Sequence, residues 1–306
     1  MQTIRTLSIL AALGLGSALA QVQVSATTGF IADMVRNVGG NRVNITQVVP
    51  NGSDPHSYDP RPTVVQGMSR AKVVFANGLN LEPFFEKLEA NLPKSARVVE
   101  LAAGMPNLIK GGEHHDEHKD EHSKEAGHAE DQHGHGEYDP HLWLSPAYGV
   151  RYVERIRDAL IAADPSGRAV YTQNAGRYIA QIRQADADVK ACLANIPVSR
   201  RKIVSQHEAL LYFARQYNIT IVGSIADFSA QQTGTQRFTR LAQEMRRQGV
   251  RTVFAEPQFS QAEARALAEA TGARVGRIYS DAFDDTVNTY LKLLAFNGRA
   301  ACESFR

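Results

Sequence analysis

Ten histidines occur in the 306-residue chain, and imidazole is the side chain most often found on a bound transition metal. Seven of them (His114, His115, His118, His122, His128, His133 and His135) crowd one acidic tract. The other three stand apart: His56 in PNGSDPHSYDP, His141 in YDPHLWLSP and His207 in KIVSQH. The tract, residues 111–137, adds nine acidic side chains and only Lys119 and Lys124 on the basic side. A chain of that composition can gather a divalent metal in many arrangements, but each arrangement must first be ordered, so its affinity is modest. It has no hydrophobic periodicity and reads as a disordered insertion, its seven histidines forming accessory, low-affinity sites. A solvated acidic spacer is the plainer alternative.

The three isolated histidines need a scaffold, and the flanking sequence supplies one. Short β-branched runs recur at VQVSATT (22–28), VNITQVV (43–49), KVVFANG (72–78) and RVVEL (97–101). They recur again at KIVSQ (202–206), TIVGSIA (220–226), RTVFAE (251–256) and RVGRIYS (274–280). Amphipathic patterns such as TGFIADMVRNVGG, LEPFFEKLEANL, EALLYFARQYN, RFTRLAQEMRRQG and SQAEARALAEATG fall between them, with Gly39-Gly40, Gly249 and Gly272 where helix C-caps belong. The alternation predicts an α/β fold of two (βα)4-like lobes with mainly parallel sheets. Residues 165–196 contain no proline after the first position and, beyond the opening Pro-Ser-Gly, one isolated glycine, Gly176, and predict a single long bridging helix of about 48 Å. A helix broken at Gly176 is the alternative. The expected division is 1–20 leader, 21–164 N-terminal lobe, 165–196 linker helix and 197–306 C-terminal lobe. A stiff bridge implies metal release by local loop motion more than by wide lobe closure.

Each isolated histidine follows a predicted strand, and in open α/β sheets the ligand crevice lies outside the carboxyl ends of the strands. Three such residues converge on one interlobe cleft. A fourth ligand should also come from a strand end. Asp281, read as directly at the end of the last strand, is favoured, ahead of Asp284 and Asp285 further along and of Glu256 and Asp227. Glu256 is also suited to orient a histidine from behind. Asp54 and Asp139, each before Pro-His, read as turn formers that hold the imidazole rigidly.

The bulk sequence excludes other classes. A net charge of +2 and the absence of a basic block interleaved with aromatics exclude a dedicated nucleic-acid binder. MQTIRTLSILAALGLGSALA has an early cation, an apolar run from Leu7 to Leu15 and small residues at Ala18 to Ala20, the pattern of a secretory leader too short to anchor. The expectation is a soluble periplasmic monomer beginning at Gln21, without a lipid anchor because no cysteine lies near the cleavage point. In that oxidising compartment Cys192 and Cys302 can pair as a disulfide; two buried thiols are the alternative. His207-Glu208 opens HEALL, a near miss to H-E-x-x-H with Leu211 in place of the second histidine, so that hydrolytic mechanism is excluded. Four protein ligands would also leave no open position for a catalytic water.

Taken in order, DPHSYDP, DPHLWLSP after a His-rich acidic insertion, SQHEAL, FAEPQF and YSDAF resemble the cluster A-I solute-binding proteins of metal ABC importers, and most of all the zinc-uptake branch. The resemblance spans essentially the whole mature chain. It implies two lobes bridged by one long helix, a single metal in the cleft, and His56, His141, His207 and Asp281 as ligands. It also implies a membrane permease as partner and admits a periplasmic zinc chaperone. Manganese and iron members of the family it resembles typically carry glutamate where SQHEAL has His207. Three imidazoles and one carboxylate are in their own right a borderline-soft, four-coordinate set suited to Zn2+, whereas Mn2+ prefers more oxygen. A manganese or other divalent-metal carrier, or a zinc-dependent adhesin, is the alternative function. Histidine must be neutral to ligate, so binding should weaken as pH falls toward about 6.5, and loss of His141 should destabilise the metal-loaded form alone.

Overall fold

The structure, a computed structural model, describes residues 21–90, 92–111, 136–226 and 234–306. The seven clustered histidines and Asp227 lie outside them. In the first half, β1 (Val22–Ala26), β2 (Val43–Gln47), β3 (Val73–Ala76) and β4 (Arg97–Glu100) form a parallel sheet in the order β2-β1-β3-β4. In the second, β5 (Lys202–His207), β6 (Thr220–Ala226), β7 (Thr252–Ala255) and β8 (Arg274–Arg277) repeat that layout as β6-β5-β7-β8, again parallel. The runs VVFA and TVFA of β3 and β7 are buried at every position, as strands covered on both faces must be. In each sheet the strand order reverses between its two central strands, β1 and β3 or β5 and β7. Those two switch points set where a ligand crevice opens.

The helices of the first half are α1 (Gly29–Gly39), α2 (Pro62–Met68), α3 (Phe85–Glu89) and α4 (Pro146–Ala163). They are followed by α5 (Arg168–Leu193), α6 (Leu211–Tyr217), α7 (Gly234–Gln248), α8 (Ala262–Thr271) and α9 (Tyr290–Ser304). The bridging helix α5 is continuous through Gly176 and has 26 residues, about 39 Å of helix, shorter than the expected 165–196 at both ends. At its start Pro165–Gly167 forms a separate 3-10 turn. There Asp164 Oδ2 accepts bonds from the Arg42 guanidinium (2.7 and 2.8 Å) and the Tyr171 hydroxyl (2.7 Å). At its end Arg201 donates to the carbonyls of Leu193 and Ile196, satisfying acceptors that a helix terminus leaves over.

The two lobes are stitched together along α5. Its buried face (Tyr171, Ala175, Tyr178, Ile179, Ile182, Val189 and Leu193) packs against α1, α4 and α9. Helix α9 approaches closely because a Cβ on Gly298 would stand 2.1 Å from Val189 Cγ2, and the Cys192–Cys302 disulfide joins the two helices near their ends. Asp33 of α1, buried, accepts from Tyr178 Oη of α5 (2.8 Å) and from the backbone N–H of Tyr290 in α9 (2.9 Å). Trp143 Nε1 donates across the lobes to Ser280 O at 3.0 Å, and Tyr290 Oη returns a 2.6 Å bond to Trp143 O.

At the first switch point the buried carboxylate of Glu82 braces the strand ends. Oε1 accepts from Thr27 Oγ1 (2.5 Å) and Asn77 N (2.9 Å), and Oε2 from Gly78 N (3.3 Å). Burial pushes its pKa from 4.5 to about 7, against those hydrogen bonds. The folded chain therefore holds a proton on Glu82 in a range where the unfolded chain has lost it, so its contribution to stability rises as pH falls from about 7 to 4.5. Glu82→Gln is expected to erase that slope. The wild-type minus variant difference in unfolding free energy should change by about 3 kcal/mol across the window, at ~1.4 kcal/mol per pKa unit, measured by denaturant titration at a series of pH values.

Candidate metal centre

The three isolated histidines and Asp281 come together in the interlobe cleft, their ligand atoms all within 4.8 Å of one another. The connection after β2 carries His56 in a turn closed by Asp54, whose Oδ1 accepts the His56 N–H at 3.0 Å while Oδ2 accepts Ser57 Oγ at 2.9 Å. His141 heads a 3-10 turn, Leu142–Leu144, far along the chain from β4, and its loop is anchored over the first switch point. There Asn77 Nδ2 donates to Pro140 O at 2.9 Å, and Tyr152 Oη donates to Asn77 Oδ1 at 2.7 Å. His207 is the last residue of β5, beside the second switch point.

Asp281 is not directly at a strand end. The β8 ladder stops at Arg277 because the Tyr279 N–H and C=O are both taken by the side chain of Asn297 in α9, at 2.9 and 2.6 Å. The chain then turns inward and delivers Asp281 four residues beyond the strand.

Both deeply buried imidazoles are oriented from behind. His141 Nδ1 lies 2.7 Å from Asp139 Oδ1, and His207 Nδ1 lies 2.8 Å from Glu256 Oε1. Each carboxylate fixes the tautomer with the proton on Nδ1, so the Nε2 lone pair faces the cleft. Glu256 thus stands behind His207 as an acceptor, a geometry that suits the orienting role over the ligand role. Asp139 does the same for His141, a role beyond the turn formation read from its sequence; the shared Asp-Pro-His triplet is the signal, and Asp54 closes the turn of its own histidine through the backbone N–H. Glu256→Ala is expected to weaken metal binding about 10- to 100-fold by isothermal titration, because His207 would lose its set orientation.

The donor geometry fits a small cation. His56 Nε2 and His141 Nε2 are 3.3 Å apart, His141 Nε2 and Asp281 Oδ1 3.3 Å, and His207 Nε2 and Asp281 Oδ2 3.0 Å. A tetrahedron with metal–ligand bonds of about 2.0–2.1 Å has edges of about 3.3–3.4 Å; the two pairs made by His141 match it, while the His207 contact runs to the other carboxylate oxygen and the whole set lies within 4.8 Å. His207 Nε2 and Asp281 Oδ1 are buried and find no hydrogen-bond partner outside the cluster, and two imidazole nitrogens at 3.3 Å repel unless a proton or a metal lies between them.

Without metal, protons take that charge. Burial lowers the His141 pKa, but Asp281 and Asp139 outweigh it and raise it to about 9. Burial likewise opposes the effect of Glu256 and Asp281 on His207, whose pKa is raised well above the usual imidazole range. For Asp281, burial is outweighed by the two imidazoles and its pKa falls well below the carboxylate range. A metal must displace these protons, so its affinity is expected to climb with pH up to about 9, above the window set by an ordinary histidine.

A two-lobed parallel α/β chain with three imidazoles and a carboxylate facing one buried point has the form of an extracytoplasmic metal-binding protein of an ABC importer, and comparison with known proteins agrees. Residues 24–301 match the family described as the periplasmic component A of the zinc-uptake complex. The manganese ABC transporter substrate-binding lipoprotein ScaA of Streptococcus gordonii is 28% identical over 293 residues, 92% of this chain and 88% of ScaA. The PsaA lipoprotein of Streptococcus pneumoniae, also named for manganese, is 26% identical over 282 residues, 90% of this chain and 86% of PsaA. Among solved structures, the manganese-bound periplasmic metal binding protein from Candidatus Liberibacter asiaticus superposes with a TM-score of 0.79 at 26% identity, covering 94% of this chain and all of that one. The periplasmic zinc binding protein TroA from Treponema pallidum gives 0.79 at 22% identity over 94% and 99%, a likeness of fold.

This chain belongs to the family of the zinc-uptake component A proteins. It is a substrate-binding protein of transport, not an enzyme, and such proteins work with a membrane permease and its ATPase. Among the described residues no helix is long and apolar enough to cross a membrane. The streptococcal relatives are named as lipoproteins, unlike the unanchored chain expected from the sequence.

Proposed function

We propose that this protein captures Zn2+ in the interlobe cleft through His56, His141, His207 and Asp281 and delivers it to the permease of an ABC importer. The observation that carries the reading is the donor set, three imidazoles and one carboxylate around a single buried point. Two of those imidazoles are locked by Asp139 and Glu256 with Nε2 facing inward. Nitrogen-rich, four-coordinate sites suit zinc, and manganese gains from more oxygen and a larger shell. A manganese reading is favoured by the names of ScaA and PsaA. The test is metal analysis of protein purified without added metal, then competition among zinc, manganese and copper. One tightly held zinc that manganese cannot displace supports the proposal; preferential retention of manganese overturns it.

The histidine-rich tract serves this site as an accessory that gathers or passes zinc, and it is where a periplasmic chaperone would load metal. Its two ends are adjacent: Lys110 and Tyr138 form an antiparallel bridge, and Gly111 N donates to Glu137 O at 3.0 Å. Excision of residues 114–135 therefore keeps the closure intact. It should remove only weak zinc sites, and loss of the tight site would refute the assignment of the cleft.

A further inference from the structure

Gln258 carries no charge and is none of the four candidate ligands, yet its amide nitrogen sits among the acceptors behind them. It follows Glu256-Pro257 in the turn after β7, closed by Phe259 N donating to Glu256 O at 3.3 Å. Its Nε2 lies 2.9 Å from Ser280 Oγ, 3.2 Å from Glu256 Oε2 and 3.2 Å from Asp281 Oδ2. Its amide oxygen is buried without a hydrogen-bond partner. A half-turn of the amide would aim that oxygen at two carboxylates, so the surrounding charge fixes the orientation found.

The arrangement leaves an acceptor unsatisfied in order to present donors to carboxylates. Ser280 Oγ contacts both Glu256 Oε2 and, at 3.1 Å, Asp281 Oδ2, but a hydroxyl has one hydrogen and serves one of them. Gln258 supplies the missing N–H. The two oxygens of Asp281 are thereby made unequal. Both reach the cleft, Oδ1 at 3.3 Å from His141 Nε2 and Oδ2 at 3.0 Å from His207 Nε2. Oδ2 is met by the Gln258 amide, with the Ser280 hydroxyl also 3.1 Å away, whereas neither group meets Oδ1, which faces His141 alone.

We propose that Gln258 is a specificity-determining residue that holds Asp281 as a one-oxygen ligand. By drawing Oδ2 into hydrogen bonds it leaves Oδ1 to complete a four-coordinate shell. It thereby disfavours the two-oxygen carboxylate that a cation of higher coordination number, such as Mn2+, would recruit. This inference deepens the zinc reading and rests on it. Gln258 acts through Asp281 and touches no metal itself, so it is a positioning residue.

The test is Gln258→Met, which keeps side-chain length and removes the donor. Metal-free unfolding verifies the fold, and Co2+ serves as the spectroscopic probe alongside zinc and manganese titrations. Wild-type protein should give the intense visible bands of four-coordinate Co2+. The variant should give bands several-fold weaker, and its preference for zinc over manganese should fall by about tenfold. Ser280→Ala, which leaves the amide in place, should keep the four-coordinate spectrum. Unchanged Co2+ bands in Gln258→Met, with zinc and manganese weakened by the same factor, would reduce Gln258 to packing and overturn the proposal. Weak bands and a manganese preference already in the wild type would overturn the zinc reading and this inference together.

Discussion

His141→Ala is expected to raise the dissociation constant of the tight site by at least about 100-fold, since loss of a group that merely supports a ligand costs 10- to 100-fold. His141 is fully buried, lies 3.3 Å from both His56 Nε2 and Asp281 Oδ1, and is locked by Asp139. With free metal at 1,000 times the dissociation constant, binding stabilises the wild type by about 4 kcal/mol; a 100-fold weaker site leaves about 1.4 kcal/mol. Calorimetric melting with and without metal should therefore show most of the metal-induced rise in Tm disappear.

The metal-free protein should lose stability as well, against the expectation that only the loaded form suffers. Asp139 and Asp281, 1% and 4% exposed, would each lose the imidazolium that balances them, and unpaired buried charge is costly. An unchanged dissociation constant would remove His141 from the site.

Removal of the Cys192–Cys302 disulfide should have the largest effect on the fold and almost none on the site. The bond closes a loop with a sequence separation of 110, for which chain entropy gives about 4–5 kcal/mol, a large share of a typical folding free energy. The corresponding drop in Tm is on the order of 10 °C for a chain of this size. Cys192 lies in the last turn of α5, on the chain leading to β5, and Cys302 lies near the end of α9, which runs back from β8. The bond therefore sits toward the amino edges of the strands, whereas the candidate ligands gather beyond their carboxyl ends. The Cys192→Ser, Cys302→Ser double variant should denature at lower guanidinium concentration and titrate zinc like the wild type. A midpoint matching the wild type would show that the cross-link constrains nothing the folded core does not already constrain.

Much of the site could be read in the sequence because the composition is so lopsided. Once the acidic tract is set aside, only His56, His141 and His207 remain, and parallel α/β topology directs strand-end residues to one crevice. The two sheets were legible for the same reason, buried β-branched runs between helical patterns. Asp281 was selected through an adjacency that does not exist; it belongs in the cluster because Asn297 ends β8 early and turns the chain inward. That Asn297 comes from α9, a helix the sequence reading did not name. Helix α9 buries Asn297 and Gly298 and offers no broad polar stripe to set its period. Gln258 and Ser280 escaped notice for a different reason. Neither is charged or a ligand type, and their significance lies in which acceptors they meet.

Trp143 has a use beyond joining the lobes. It is the only tryptophan in the chain, buried, stacked on Phe30 at 4.0 Å between ring centroids, with its centroid 5.3 Å from that of His141. Protonated imidazole quenches indole emission, and a metal that takes the place of the proton alters that quenching. Trp143 therefore stands as a built-in optical reporter at the edge of the cleft, and its emission is expected to change when the unlabelled protein is titrated with metal.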